Sequence, residues 1–276
     1  MDSRLLLKRS FSVPAAVLVA CTLSGCLLSG KLDGLTSGAT NDAACAGDRG
    51  PPGIRVSAKD GSAYCIDSTE VTNAHYKEFV IAKAGATSGQ PPECSWNTDF
   101  TPTIDTGYPW PPPDHRLNAP VVEADWCDAA AYCRWAGKRL CGRIGGGALA
   151  SSETKTSQRS EWLTACSKGG ERAFPYGDEY DRNACTGDIA RDTGSTNVGS
   201  RVSCEGGVGG IFDMSGNAEE WIDACASTDG ANDDCAVQGG SWEDGEATLS
   251  CIGSARVFKR SYGWRSRGFR CCADIK

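Results

Sequence analysis

The sequence predicts an irregular, loop-rich α+β domain held together by disulfides, and three observations carry that prediction. The chain of 276 residues holds 34 glycines and 12 prolines, which punctuate it too often for long helices. It holds 16 cysteines, a number suited to an oxidising compartment and not to a reducing cytosol. No fixed-period repeat is present, and the periodic segments are short and of mixed type. A net charge of −7 excludes a nucleic-acid partner and an anionic lipid surface, which repel an acidic protein. Two histidines, His75 and His115, share no spacing with other ligand types, so a histidine-based metal triad is excluded too.

The elements follow in chain order. Arg4, Lys8 and Arg9 precede an apolar run from Val13 to Val19, the pattern of an export signal over residues 1–25. Leu23-Ser24-Gly25-Cys26 resembles a bacterial lipobox, which implies cleavage before Cys26 and acylation of its sulfur; the alternative is an ordinary signal with a chance cysteine. Leu27 in the next position implies sorting to the outer membrane of a bacterial cell envelope, with the lipid as the chain's contact with the membrane. Residues 26–52 are small and polar and read as a flexible tether, leaving residues 53–276 as one domain.

Within that domain, Ala63 to Asp67 reads as a strand. Thr72 caps a helix from Asn73 to about Lys83, with His75, Tyr76 and Phe79 at helical spacing. Seven prolines make residues 90–116 a long irregular loop. The segment from Val121 to Ala136 starts extended and becomes a second helix, with Trp126, Ala130, Cys133 and Ala136 facing inward. A third helix opens at Ser160-Glu161-Trp162 and ends near Cys166, before Gly169-Gly170. Turns and short strands follow.

Six segments in order resemble the formylglycine-generating enzyme, or sulfatase-modifying factor, family. They are Asp67-Ser68-Thr69-Glu70-Val71-Thr72-Asn73, Pro120-Val121-Val122 with Ala136-Gly137-Lys138-Arg139-Leu140, and Glu161-Trp162 with Phe174-Pro175-Tyr176-Gly177. Gly210 through Trp221, Gly239-Gly240-Ser241-Trp242 and Gly268-Phe269-Arg270-Cys271 complete the set. The resemblance implies a loop-rich α+β fold related to C-type lectins. It implies a copper- and oxygen-dependent oxidase of protein cysteine, using two cysteines after the Gly-Gly-Ser motif. Those two positions map here to Asp244 and Leu249, which offer no thiolate to soft copper. Cys251 is the nearest candidate thiol and cannot replace a pair.

The resemblance further implies calcium at Asp213, Gly216, Ala218 and Glu220, where two carboxylates and two carbonyls supply hard oxygen ligands around a glycine turn. A structural turn capped by its own acids is the alternative. A second calcium set maps less closely to Asn183, Ala184 and Asp192. One disulfide, Cys166 to Cys271, is also implied by the resemblance.

Fourteen cysteines remain after Cys21 and Cys26 are set aside, enough for seven bridges whose connectivity the sequence does not fix. Cys225 with Cys235 is a plausible local pair. Cys127 and Cys133 face different directions on one helix and must pair elsewhere, and neighbours Cys271 and Cys272 take separate partners. Asp229, Asp233 and Asp234 read as a solvated acidic loop. Arg256, Lys259, Arg260, Arg265, Arg267 and Arg270 read as a solvated basic face. Loop aromatics Trp96, Tyr108, Trp110, Trp242, Tyr262 and Trp264 hint at a cleft. The combined expectation is a calcium-binding, non-catalytic envelope lipoprotein that recognises a protein or glycan. The rival is a divergent formylglycine-generating oxidase acting in sulfatase maturation.

Overall fold

The computed structural model describes residues 45–102, 109–253 and 255–276. The export signal, Cys26 and Tyr108 lie outside the described residues. In chain order the elements are β1 (Gly53–Ser57), β2 (Ala63–Asp67), α1 (Asn73–Lys83), α2 (Trp126–Trp135), β3 (Arg139–Leu140) and α3 (Glu161–Ser167). Then come β4 (Glu205–Gly206), β5 (Val208–Phe212), β6 (Glu219–Cys225), β7 (Asp234–Gln238), α4 (Glu246–Leu249), β8 (Arg256–Lys259), β9 (Arg267–Phe269) and β10 (Cys271–Ala273).

Local chemistry sets the helix starts. The Thr72 hydroxyl accepts from the His75 amide at 3.2 Å and opens α1. Asp125 and Asp128 form a reciprocal capping box at the start of α2, with amide-to-carboxylate distances of 2.9 and 3.2 Å. Ser160 accepts from the Leu163 amide at 3.2 Å and opens α3.

Two four-stranded sheets organise the body. One has the order β1-β2-β10-β3 and the other β8-β7-β6-β9, with β6 and β9 parallel. The last strands of the chain therefore enter both sheets, which is why the C-terminal segment is so thoroughly buried. Helices α1 and α2 meet through Tyr76 and Tyr132, stacked at 5.7 Å between ring centroids, and Phe269 closes this aromatic core 5.4 Å from Tyr132. A second core gathers Ile66, Trp162, Leu163, Ile211, Met214 and Ile222.

Seven disulfides pair Cys45–Cys65, Cys94–Cys127, Cys133–Cys271, Cys141–Cys272, Cys166–Cys251, Cys185–Cys204 and Cys225–Cys235. The local pair Cys225–Cys235 forms across the β6–β7 ladder. Cys127 and Cys133 pair apart, as do Cys271 and Cys272. The expected Cys166–Cys271 bridge does not form. Cys271 lies in β10 against β3 and belongs to the aromatic core with Cys133, whereas Cys166 belongs to the second core with Cys251. The Cys133–Cys271 bridge spans 138 residues, and closing so long a loop restricts the unfolded chain by about 5 kcal/mol.

Residues 45–52, expected in the tether, are fixed to the body. Cys45 is bonded to Cys65 of β2 and pairs with Ile275, and the Ala46 amide donates to the Asp274 carbonyl at 3.1 Å. The C-terminal arginines are also not a solvated face: Arg260, Arg267 and Arg270 rank among the largest fully buried side chains. Each is matched by an acid, and Arg260 takes Asp233 at 2.8 Å, so Asp233 is buried and not part of a solvated loop.

Candidate functional site

Two groups of charged residues meet back to back on β6. Successive side chains of a strand point to opposite faces, so Glu219 and Glu220 serve different sites.

Glu220 faces inward from the turn that precedes β6. In this turn Asp213, Gly216 and Asn217 all take positive φ, at 59°, 78° and 61°. A side chain at Gly216 would collide with the Thr186 carbonyl, so glycine is required there. Asp213 accepts from the Gly199 amide at 2.6 Å, and Asn217 donates to Glu70 at 2.9 Å. Arg270 binds Glu220 through Nε and Nη2 at 2.7–2.9 Å and reaches the carbonyls of Asp67 and Phe212. Trp162 Nε1 donates to the same carboxylate at 2.7 Å.

Three buried carboxylates, Glu70, Asp213 and Glu220, thus gather around one guanidinium. Burial pushes Asp213 up to about 6, and the Gly199 amide opposes the rise. Burial, then the charge of Asp213, pushes Glu70 well above the usual carboxylate range. Glu70 Oε2 is buried with no hydrogen-bond donor. Among the described residues, no three His, Cys, Asp or Glu side chains form a metal centre by themselves. The expected calcium set differs in drawing half its ligands from carbonyls, and the acid excess here equals the charge of one divalent cation. Asp213 and Glu220 offer hard oxygens of the kind calcium takes, and in this structure both Glu220 oxygens accept from Arg270 and Trp162 while Asp213 accepts from the Gly199 amide. In the second set, the Asn183 and Ala184 carbonyls accept from Arg201 at 3.1 Å and Ser203 at 2.7 Å, and Asp192 is exposed.

Glu219 faces the other way, into a cleft of about 160 Å³. Arg256 binds Glu219 at 2.6 Å and Asp244 at 3.0 Å, while Arg267 binds Glu219 at 2.7 Å. Asp244 also accepts from the amide and hydroxyl of Ser241 at 2.9 and 2.8 Å. Arg265 pairs with Glu243 at the rim at 2.5 Å. Tyr262 and Trp264, stacked at 5.7 Å, line one wall, and the Arg267 guanidinium lies 3.6 Å from the Phe258 ring centroid.

Of the two positions that the family resemblance maps to oxidase cysteines, Asp244 lines this cleft and Leu249 does not. Asp244 is an ion-pair partner instead, and Leu249 is buried, its carbonyl accepting from the Ser215 hydroxyl at 2.7 Å. Cys251 is not a thiol: it is bonded to Cys166 and fully buried. No thiolate pair is offered to copper at these positions, so copper does not fit. The buried arginines are the functional group that sequence reading missed, and their only sequence signal was the acids they would need.

The sequence matches the sulfatase-modifying factor enzyme 1-like domain over residues 36–275. The chain belongs to the sulfatase-modifying factor family. The family match begins inside the expected tether, in accord with the bridge at Cys45. Mouse inactive C-alpha-formylglycine-generating enzyme 2 is 26% identical over 252 residues, which cover 76% of this chain and 75% of that protein. The formylglycine-generating enzyme of Thermomonospora curvata is 26% identical over 198 residues, 58% of this chain and 59% of that enzyme. Among solved structures, CarF superposes with a TM-score of 0.52 at 18% identity, covering 84% of this chain and 97% of CarF. PvdO from Pseudomonas aeruginosa gives 0.52 at 16%, covering 82% and 92%. These two share the fold.

Proposed function

We propose that this family member is a non-catalytic, calcium-binding module, exported and lipid-anchored through Cys26, that recognises a protein or glycan outside the membrane. The observation that carries the loss of oxidase chemistry is the Asp244–Arg256 ion pair in the cleft, together with the Cys166–Cys251 disulfide behind it. Thiol oxidation needs a thiolate that can leave and return, and this cleft has a neutral set of ion pairs in its place. Similarity to a mouse protein named as inactive supports the same reading.

The cleft retains what recognition needs. It has a floor of paired charges and an aromatic wall at Tyr262 and Trp264. Calcium, held by Asp213 and Glu220 with the carbonyls of Gly216 and Ala218, would lock the turn beneath β6 and hold that floor in place. Its role there is structural, as a counter-charge for carboxylates that Arg270 alone does not balance.

The test is direct. Purified protein is loaded with copper and incubated in air with a cysteine-containing sulfatase peptide, and the peptide is weighed by mass spectrometry. The expected result is unmodified cysteine. Any formylglycine above a copper-only control overturns the non-catalytic reading and favours the oxidase. For the anchor, the native protein is expected in the detergent phase, and Cys26→Ser is expected to move it to the aqueous phase.

A further inference from the structure

A second concave site lies away from the cleft, between the C-terminal turns of α1 and α2 and the loop that follows α1. Its volume is about 260 Å³, and its lining includes Phe100, Ala131 and Trp135 as an apolar floor, with Lys83, Arg134 and Ser88 at its edge. Lys83 Nζ lies 5.9 Å from the Phe100 ring centroid. Arg134 Nη1 donates to the Gly89 carbonyl at 2.9 Å, which fixes the loop against α2 and orients the guanidinium. Arg49 lies 4.8 Å above the Trp135 ring and adds a third positive charge beside the site.

These cations differ from the arginines of the cleft and of the interior. Arg256, Arg260, Arg265, Arg267 and Arg270 are each matched by a carboxylate. Among the described residues, Lys83, Arg134 and Arg49 have no ion-pair partner. Basic residues near helix C-termini complement the macrodipole, which accounts for Lys83 and Arg134 being basic. It does not account for their sharing a cavity with aromatic rings in a chain of net charge −7. Two unmatched cations over an apolar floor, with an exposed serine hydroxyl beside them, complement a ligand with three properties: a negative charge, a flat apolar face and hydroxyl groups.

The geometry points to a binding site for a uronic acid residue, its carboxylate between Lys83 and Arg134 and its ring face toward Trp135. Arg134 supplies the guanidinium donors that the Gly89 carbonyl does not take, Lys83 a point charge, and the CH face of the sugar rests on the floor of Phe100, Ala131 and Trp135. This site is independent of the cleft and of the calcium turn.

The probe is tri-galacturonate, titrated into the purified protein by calorimetry at low ionic strength, where exposed charge contributes most. Galactotriose and benzoate serve as comparison ligands. The expected result is binding of the uronate with no heat from galactotriose, weakened about tenfold or more in Arg134→Gln and further in Arg134→Gln with Lys83→Gln. Both side chains reach solvent, so unchanged melting temperatures are expected to show that the variants fold. Arg256→Gln, in the cleft, is expected to leave binding unchanged. The assignment is overturned by no uronate binding at millimolar concentration, by equal binding of galactotriose, or by loss of binding in Arg256→Gln but not in Arg134→Gln. Binding of benzoate without binding of the uronate overturns the sugar assignment as well.

Discussion

Glu219 and Glu220 are neighbours on one strand, yet their surroundings obey opposite charge rules. On the cleft side, Glu219 and Asp244 face Arg256 and Arg267, two acids against two bases. On the interior side, Glu70, Asp213 and Glu220 face Arg270 alone. A balanced set needs nothing further, whereas an unbalanced buried set must take up protons or a cation. The comparison separates a surface rebuilt from paired charges from a turn that is still short of positive charge.

The largest expected effect comes from removing the one interior cation. Arg270→Met leaves buried carboxylates without their partner and is expected to cost about 3–5 kcal/mol in denaturant unfolding. Arg270→Lys tests whether charge alone suffices; the lost contacts to the Asp67 and Phe212 carbonyls predict only partial recovery.

Calcium comes next. At a hundredfold excess over Kd it is expected to raise the melting temperature by about 5–10 °C, and Asp213→Ala is expected to remove the difference. An identical melt in calcium and in chelator would falsify the cation side of the comparison.

Protons give a smaller effect of defined sign. Asp213 ionises near 3.8 in an ordinary setting and at about 6 when folded, so between those values the folded protein holds a proton the unfolded chain has released. The stability this proton confers is complete below about pH 4 and is lost as pH rises through 6. In chelator, Asp213→Asn is expected to flatten the fall in stability from pH 5 to 7 relative to the native protein. An equal slope in both proteins would remove Asp213 from the account.

The smallest effect belongs to the cleft rim. Glu243→Gln breaks a half-exposed pair with Arg265 and is expected to change stability by about 1 kcal/mol or less. A loss as large as that of Arg270→Met would erase the distinction between the two sides.

What the sequence made legible was local. The helix read from Asn73 to Lys83 and the strand read from Ala63 to Asp67 appear with those bounds, because caps and periodicity act within a few residues. The Cys225–Cys235 bridge was legible for the same reason, lying across one hairpin. Partnerships set by topology were not. Cys271 could be assigned only once β10 was known to lie between β2 and β3, beside the helix that carries Cys133. The arginines after residue 255 looked solvated because basic residues usually are, and nothing local marks a guanidinium that will be buried against an acid dozens of residues away. At the site, the turn from Asp213 to Glu220 was legible as a motif. The contribution of Glu70, which joins it from before α1, was not.

The bridge from Cys45 to Cys65 has a mechanical consequence. Tension that reaches residue 45 from the N-terminal side passes through a covalent bond directly into β2, a strand flanked on both sides by neighbours in its sheet. Residues 46–64, including all of β1, sit inside the closed loop and bear no load, so pulling cannot peel β1 from the sheet's edge. The first structure to resist is the sheet interior, where β10 is itself riveted to α2 by Cys133–Cys271 and to the end of β3 by Cys141–Cys272. A protein held at one end against flow or a tethered partner would take up the load through one sulfur bond at an interior strand, with the edge strand β1 outside the load path.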